Sequence, residues 1–481
     1  MKKFIALLAA MAMCLSMLPA YADDGWTEVD DATELAAALS QNGNIRVMNN
    51  ITLSNTIIID KTVTIDLNDH TISAANRPFW IEGGHVTLTG TGIVTETTPY
   101  YAPFTVVGSA NEEDTDYSYL NVGENITLSG WGGVFVQAPT KPGTSESTQT
   151  AYGVKLDIYG TLEGHYDATN WGGKGINING SITNTVNYPV INIYESANIT
   201  AYSNENAQPS DDVTEAVIAA IGIYAAGYAE CNIYGGNITG DTGIEMRAGR
   251  MNIYNGSISG VGNFYTEPNG SGQTIISPAV AISQHTTNLP IEVHILDGCL
   301  TSENGYALYE EDLQNDIEQD KIIINVSGGE FNGSANYGAI KFEDSSTINY
   351  SITGGTYNTD VGEYVSENYG TLNVDGSYTV AEKANASTNT VTIDETNKND
   401  VETAMDNSGF TAADGTTYQL DTAEVSGVTG NTIFVDYKFN EIPYTLKFES
   451  ANLDNVNVKL GIVLYNIPSG TDVSEPSVYI Q

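Results

Sequence analysis

The sequence predicts an all-β chain built around a right-handed parallel β-helix, and three observations predict it. A short apolar motif recurs along roughly 300 residues, the spacing between copies is uneven, and an apolar leader precedes them. The clearest copy, Asn232-Ile233-Tyr234-Gly235-Gly236-Asn237-Ile238-Thr239-Gly240, returns 20 residues later as Asn252-Ile253-Tyr254-Asn255-Gly256-Ser257-Ile258-Ser259-Gly260. Weaker copies stand at Thr87-Leu88-Thr89, Asn121-Val122-Gly123, Asp157-Ile158-Tyr159, Asn192-Ile193-Tyr194, His294-Ile295-Leu296, Asn325-Val326-Ser327 and Ser351-Ile352-Thr353. Second short strands lie between them, among them Gly243-Ile244-Glu245-Met246, Ala279-Val280-Ala281-Ile282 and Ala339-Ile340-Lys341-Phe342.

The chain opens with Met1-Lys2-Lys3, an apolar run from Phe4 to Leu18, and Ala20-Tyr21-Ala22, the three parts of a secretory signal peptide. Residues 1–22 are therefore expected to be removed on export, with Asp23 as the first mature residue. No later apolar stretch approaches the ~20 residues that a membrane helix needs, so no membrane insertion is expected. Without Lys2 and Lys3 there remain 15 Lys and Arg against 60 Asp and Glu, a net charge of −45. That charge repels nucleic acid and anionic lipid, and excludes both as partners. Abundant Gly and Tyr with few Pro fit β-structure with many turns.

A single copy of the motif has one or two inward residues per strand, too few to bury a core. Stacking the copies ~4.8 Å apart joins those residues into columns and satisfies the backbone. One column is read as Leu88, Val122, Ile158, Ile193, Ile233, Ile253, Ile295, Val326 and Ile352. A second, one pleat earlier, is Val86, Leu120, Leu156, Ile191, Cys231, Met251, Val293 and Ile324. An antiparallel sandwich also has short alternating strands, but one motif recurring with loops of unequal length favours the solenoid. In this register Cys231 points inward while Cys299 aligns with Asn237 and Ser257, so two free thiols are expected.

At the start, Asp31-Ala32-Thr33-Glu34-Leu35 begins a short capping helix with Asp31 as N-cap and Leu35 and Leu39 on one face. This helix, followed by Ile45 to Leu53, Val63 to Asn68 and His70-Thr71-Ile72, resembles the opening segment of secreted pectin-lyase-like repeat proteins of the bacterial adhesin-like type. The resemblance covers roughly residues 26 to 380 and implies a right-handed parallel β-helix. Enzymes, adhesins and structural surface proteins share that fold, so it implies no single activity. The expected organisation is a signal peptide at 1–22, a β-helix with its N-terminal cap at 23–382, a linker with a short helix from Asn399 at 383–408, and a small antiparallel, sandwich-like β domain at 409–481. The last rests on alternation at Ile433, Val435 and Tyr437, at Tyr444, Leu446 and Phe448, and from Val456 to Leu464.

Catalytic signatures of pectin-processing enzymes are missing. The one N-T-D, Asn358-Thr359-Asp360, is followed by neither G-H-G nor R-I-K, and the paired aspartates at 23–24, 30–31 and 211–212 lie in the leader region or a loop. From Asp23 to Val380 there are four Arg (46, 77, 247 and 250) and six Lys, too few cations for a uronate groove. Arg247 and Arg250 are read as structural at a coil corner. The histidines (His70, His85, His165, His285 and His294) show no zinc-ligand spacing. No catalytic residue, metal ligand or cofactor is expected.

Two features are left to carry function. If the Ile of each motif points inward, Tyr159, Tyr194, Tyr234 and Tyr254 form an outward stripe flanked by Asp157, Asn192, Asn232 and Asn252. Tyr rings stack on sugars and amides bond hydroxyls, so the expected partner is a glycan or another surface protein; the bland alternative is that stacked rings only stabilise neighbouring coils. Trp80, Tyr100, Tyr101, Phe104, Trp131, Tyr166 and Trp171 are expected in nearby loops. The acidic loops are Glu112-Glu113-Asp114 with Asp116, Asp211-Asp212, and Glu310-Glu311-Asp312 with Asp316, Glu318 and Asp320. They are read as solvated surface that holds calcium weakly at most. The expected function is non-catalytic adhesion or surface contact outside the cell. The alternatives are a lyase or hydrolase of a neutral or calcium-bridged glycan, and a structural envelope or matrix component.

Overall fold

The computed structural model describes residues 25–382 except 114–116, 208–217, 269–272, 313–320 and 375, and beyond them the strands that start at Asn389, Phe410, Thr417, Leu420, Thr432, Ile442, Val456 and Val478. The expected signal peptide and the expected helix at Asn399 fall outside the described residues.

Period-2 alternation makes each motif a short strand, and a chain of such strands with one apolar face must stack. It does so as a parallel coil. Successive strands pass in rotation to three long sheets of 12, 13 and 10 strands. The first sheet runs from Trp26–Val29 to Asn349–Ile352, the second from Ile51–Leu53, and the third from Ile57–Ile59 to Ile340–Phe342. Every pairing within the first and third sheets is parallel. At the end of the second sheet an antiparallel hairpin, Tyr369–Val374 with Ser377–Glu382, lies against Thr356–Tyr357.

The inward columns of the first sheet have the expected register. Ile193 pairs with Ile233, Ile233 with Ile253 and Ile253 with Ile295, all buried. Cys231 stands between Ile191 and Met251 in the second column. Each such Ile withdraws a side chain worth roughly 1.5–3 kcal/mol from water. The third sheet has its own column, Ile59, Ile81, Val106, Val136, Ile178, Ala225, Met246, Ile282, Glu310 and Phe342.

A helix at Ala32–Leu39 packs on the first strands. Asp31 Oδ1 accepts the N–H groups of Thr33 (2.8 Å) and Glu34 (3.0 Å), while Glu34 Oε2 accepts that of Asp30 (2.9 Å). Leu35 and Leu39 are fully buried in the same core. A hairpin, Tyr265–Pro268 with Gln273–Ile276, covers part of the third sheet's outer face through Ile275 on Ala281 and Tyr309.

Past residue 382, Leu420–Thr429, Thr432–Phe439 and Ile442–Glu449 form an antiparallel meander. Ile433, Val435 and Tyr437 pair with Phe448, Leu446 and Tyr444. Inside the expected linker, Asn389–Ile393 is a strand paired with Val456–Ile462. Its run of β-branched residues, Thr390-Val391-Thr392-Ile393, favours extended backbone.

Candidate functional site: a tyrosine and asparagine row along one corner

Where the chain leaves the first sheet, each coil turns sharply, and the residue after the inward Ile lies on that corner. The N–H groups of Tyr194, Tyr234 and Tyr254 donate to the carbonyls of Ile158, Ile193 and Ile233 one coil earlier, at 3.0, 2.8 and 2.8 Å. This pins the four tyrosines in line. Ring centroids are 4.1 Å apart for Tyr159 and Tyr194, 5.5 Å for Tyr194 and Tyr234, and 5.0 Å for Tyr234 and Tyr254, with planes within 4°, 25° and 10°. The inner rings therefore occupy one another's faces, and the Tyr194 hydroxyl turns to Asp157 Oδ1 (3.4 Å); Tyr234 and Tyr254 are each 40% exposed. In the turn before Tyr159 the corresponding residue is Gly123, which places no side chain against that ring's outer face. After Tyr254 the row continues with the exposed Leu296.

One pleat earlier, the amides form a ladder on the outer face. Asn252 Nδ2 donates to Asn232 Oδ1 (2.9 Å), Asn232 Nδ2 to Asn192 Oδ1 (3.1 Å), and Asn192 Nδ2 to Asp157 Oδ1 (2.8 Å). Asn192 and Asn232 face outward in register and are nonetheless buried. Their amides bond each other first, so the surface they offer is narrower than an outward position implies. Asp157 terminates the ladder, also accepting Tyr119 Oη–H (2.7 Å) and pairing with Lys155 Nζ (3.0 Å). Burial alone would raise its pKa, but the hydrogen bonds from Asn192, Tyr119 and Lys155 outweigh that and hold it below the usual carboxylate range. Burial and the bond to Asp157 push the Tyr119 hydroxyl up to about 12.

Beside Tyr254 the same corner opens into a groove of about 740 Å³, lined by Asn255, Asp297, Cys299, Glu330 and the turn glycines. The backbone needs glycine there: Gly298 and Gly329 have φ of +106° and +95°.

The other expected residues fall as follows. His294 continues the asparagine column, its Nδ1 3.2 Å from Asn325 Nδ2 and its Nε2 3.7 Å from Glu292. Asn358, Thr359 and Asp360 bond backbone groups of Gly333, Ala339 and Gly362, a turn-forming use of all three. Cys231 and Cys299 are both free, Cys231 buried with its thiol pushed up to about 12 by desolvation. Arg247 is buried in an ion pair with Glu245 (2.7 Å), and Arg250 pairs with Glu292 (3.1 Å).

Two expectations need correction. Glu310, Glu311 and Asp312 are buried, not solvated. The register puts Glu310 in an apolar column, which charge counting along the chain could not reveal. Burial, with like charge from Asp344, pushes its carboxyl up to about 9. Trp80 and Phe104 belong to strands, not loops, and Phe104 stacks on Phe79 in the core at 4.9 Å. Asp114, Asp116, Asp211, Asp212, Asp316, Glu318 and Asp320 lie outside the described residues.

Sequence reading missed one cluster. On the outer face of the third sheet, Lys174 Nζ and the Arg247 guanidinium approach the Tyr224 ring (5.7 and 5.5 Å), beside Glu245. Desolvation lowers the Lys174 ammonium to about 8, yet Nζ is buried and donates to Ala219 O (2.9 Å), so it faces no solvent-filled space. Its partners come from different coils, and no local pattern announces them. Among the described residues no three His, Cys, Asp or Glu are grouped to hold a metal ion, and no helix is long and apolar enough to cross a membrane. Comparison with family models, with curated proteins and with solved structures finds no match.

Proposed function

We propose that the chain is a secreted, non-catalytic, right-handed parallel β-helix of the pectin-lyase-like, adhesin-like type, closed by its N-terminal helix and followed by a small antiparallel β unit. It makes contact with a glycan or another protein at a cell surface. The observation that carries this reading is the tyrosine row: four rings held on consecutive coils over a rigid backbone, with Tyr234 and Tyr254 exposed. Such a row offers aromatic area and hydrogen bonds at little entropic cost, because packing and the asparagine ladder already fix it. An acidic surface with few free cations suits a neutral partner better than an anionic one.

The test is a glycan and surface-extract array probed with the wild type and with Tyr194→Ala plus Tyr234→Ala, folding of the variant being checked by circular dichroism. Loss of binding in a folded double variant supports the reading, and undiminished binding removes the row from it. Release of unsaturated or reducing sugars from any polysaccharide at catalytic protein concentration would overturn the non-catalytic part.

A further inference from the structure

A second concentration of aromatic side chains lies on a different corner, where the chain passes from the second sheet to the third. Tyr100 and Tyr101 precede the strand Phe104–Val107, and Trp131 stands between Ile126–Gly130 and Gly132–Gln137. Tyr166 and Trp171 lie in the loop before Lys174–Ile178, and Tyr202 follows Asn198–Ala201. Gly132 N donates to Tyr101 O (2.9 Å), Lys174 N to Trp131 O (2.9 Å) and Gly173 N to Tyr202 O (3.1 Å), which brings four successive coils to one place.

The corner is fixed before any ligand arrives. Buried Glu96 accepts the backbone N–H groups of Tyr100 (3.1 Å) and Tyr101 (2.6 Å). The Arg77 guanidinium sits between the rings of Trp80 (4.8 Å) and Tyr101 (4.4 Å). Asp167 Oδ1 accepts the N–H groups of Thr169 (2.7 Å) and Trp171 (3.0 Å), closing the loop on itself, and Trp131 Nε1 donates to Trp171 O (3.3 Å). His165 stacks on Tyr202 at 4.9 Å.

Two of these rings differ from the inner tyrosines of the row. Tyr194 and Tyr234 have ring neighbours on both sides, whereas Trp171, 49% exposed, and Tyr166, 41% exposed, meet no other ring among the described residues. An open, rigid aromatic face is what the C–H face of a pyranose stacks on, and beside it the Asn204 amide is already held, Nδ2 donating to Asn170 Oδ1 (2.7 Å) and Oδ1 accepting the Asn206 N–H (3.0 Å), so stacking carries the contact. The nearby cations are committed, Arg77 between its two rings and Lys174 to Ala219 O, while Glu82, Glu163 and Asp167 are close by. A uronate or phosphate polymer would meet repulsion here.

We propose that the corner carrying Tyr100, Tyr101, Trp131, Tyr166, Trp171 and Tyr202 is a binding site for a neutral polysaccharide chain laid along successive coils. It is independent of the tyrosine row. The test is native affinity electrophoresis of the full chain in gels containing xyloglucan, galactomannan or mixed-linkage β-glucan, with polygalacturonate as the anionic control. At least one neutral polymer retards the wild type, and Trp171→Ala weakens that retardation about tenfold or more, the factor given by about 1.4 kcal/mol of lost stacking. Val186→Ala, at an exposed position between Lys174–Ile178 and Val190–Ile193, leaves it unchanged, and thermal melting shows Trp171→Ala still folded. Retardation by none of the three neutral polymers, retention of full binding by Trp171→Ala combined with Tyr101→Ala, or equal retardation by polygalacturonate would each overturn the proposal.

Discussion

Tyr159 and Tyr194 lie face to face on adjacent coils, their ring centroids 4.1 Å apart and their planes within 4°, the tightest pair in the row. Directly beneath, Asp157 receives the Asn192 amide at 2.8 Å and the Tyr194 hydroxyl at 3.4 Å. The aromatic row and the amide ladder thus begin at the same carboxylate, and each stiffens the other.

Tyr194 has a ring neighbour on either side, whereas Tyr254 has one. Aromatic pairs contribute about 0.5–1.5 kcal/mol beyond their buried area, so Tyr194→Ala should cost roughly 1–3 kcal/mol and Tyr254→Ala about half as much. Urea unfolding of the two variants measures the difference. Equal losses would mean that the stacking is energetically idle.

Asn232 is a donor and an acceptor in the middle of the ladder. Replacing it with Ala strands Asn192 Oδ1 and Asn252 Nδ2 on either side. Stranded buried polar groups cost about 1–3 kcal/mol each, and an incoming water reduces this, so a loss of roughly 2–3 kcal/mol is expected. Asn252→Ala, which strands only Asn232 Oδ1, should cost less in the same denaturation experiment.

Glu310 gives a pH dependence of definite sign. Its folded-state pKa is raised to about 9, against about 4.3 in an unfolded chain. Between those values the folded chain keeps a proton that the unfolded chain releases. The contribution of Glu310 to stability is therefore complete below about pH 4.3 and is lost as pH rises toward 9. Asp344 and Asp312, the acidic neighbours that disfavour its ionisation, reinforce this direction. Glu310→Gln keeps the shape and a hydrogen-bonding amide without the titration. It should flatten the fall in unfolding free energy over that range and exceed the wild type at pH 8 by on the order of 2 kcal/mol. A variant whose pH profile matches the wild type would contradict this assignment.

Arg247 and Glu245 are each 2% exposed and paired at 2.7 Å. Removing only one partner leaves a buried charge uncompensated, so Arg247→Met should lose about 3–5 kcal/mol. Adding Glu245→Gln should restore much of that loss. A double-mutant cycle by thermal unfolding reads the coupling, and additive losses would show that the two side chains act separately.

Much of the coil is legible in the amino-acid order. In a short strand, alternation alone decides which side chains share a face, and one recurring motif decides which strands stack. Hence every member of the Leu88-to-Ile352 column lies in its expected register. The tyrosine row is legible for the same reason, since its members occupy one fixed offset from that column. The aromatic corner around Trp171 is not. Its residues sit at unrelated offsets in loops of unequal length, and only the closing of each loop sets Trp131 against Trp171.

The amino-acid order by itself determined the period, the inward columns and the acidic, cation-poor surface, because these depend on side-chain type and near-neighbour spacing. Tertiary structure alone decided whether an outward or charged residue meets water or another residue. Asn232 is buried by the rungs on either side of it, and Glu310 stands between Ile282 and Phe342 in an apolar column. Exposure is a property of what the neighbouring coil places nearby, and that neighbour is fixed by how the intervening loop closes.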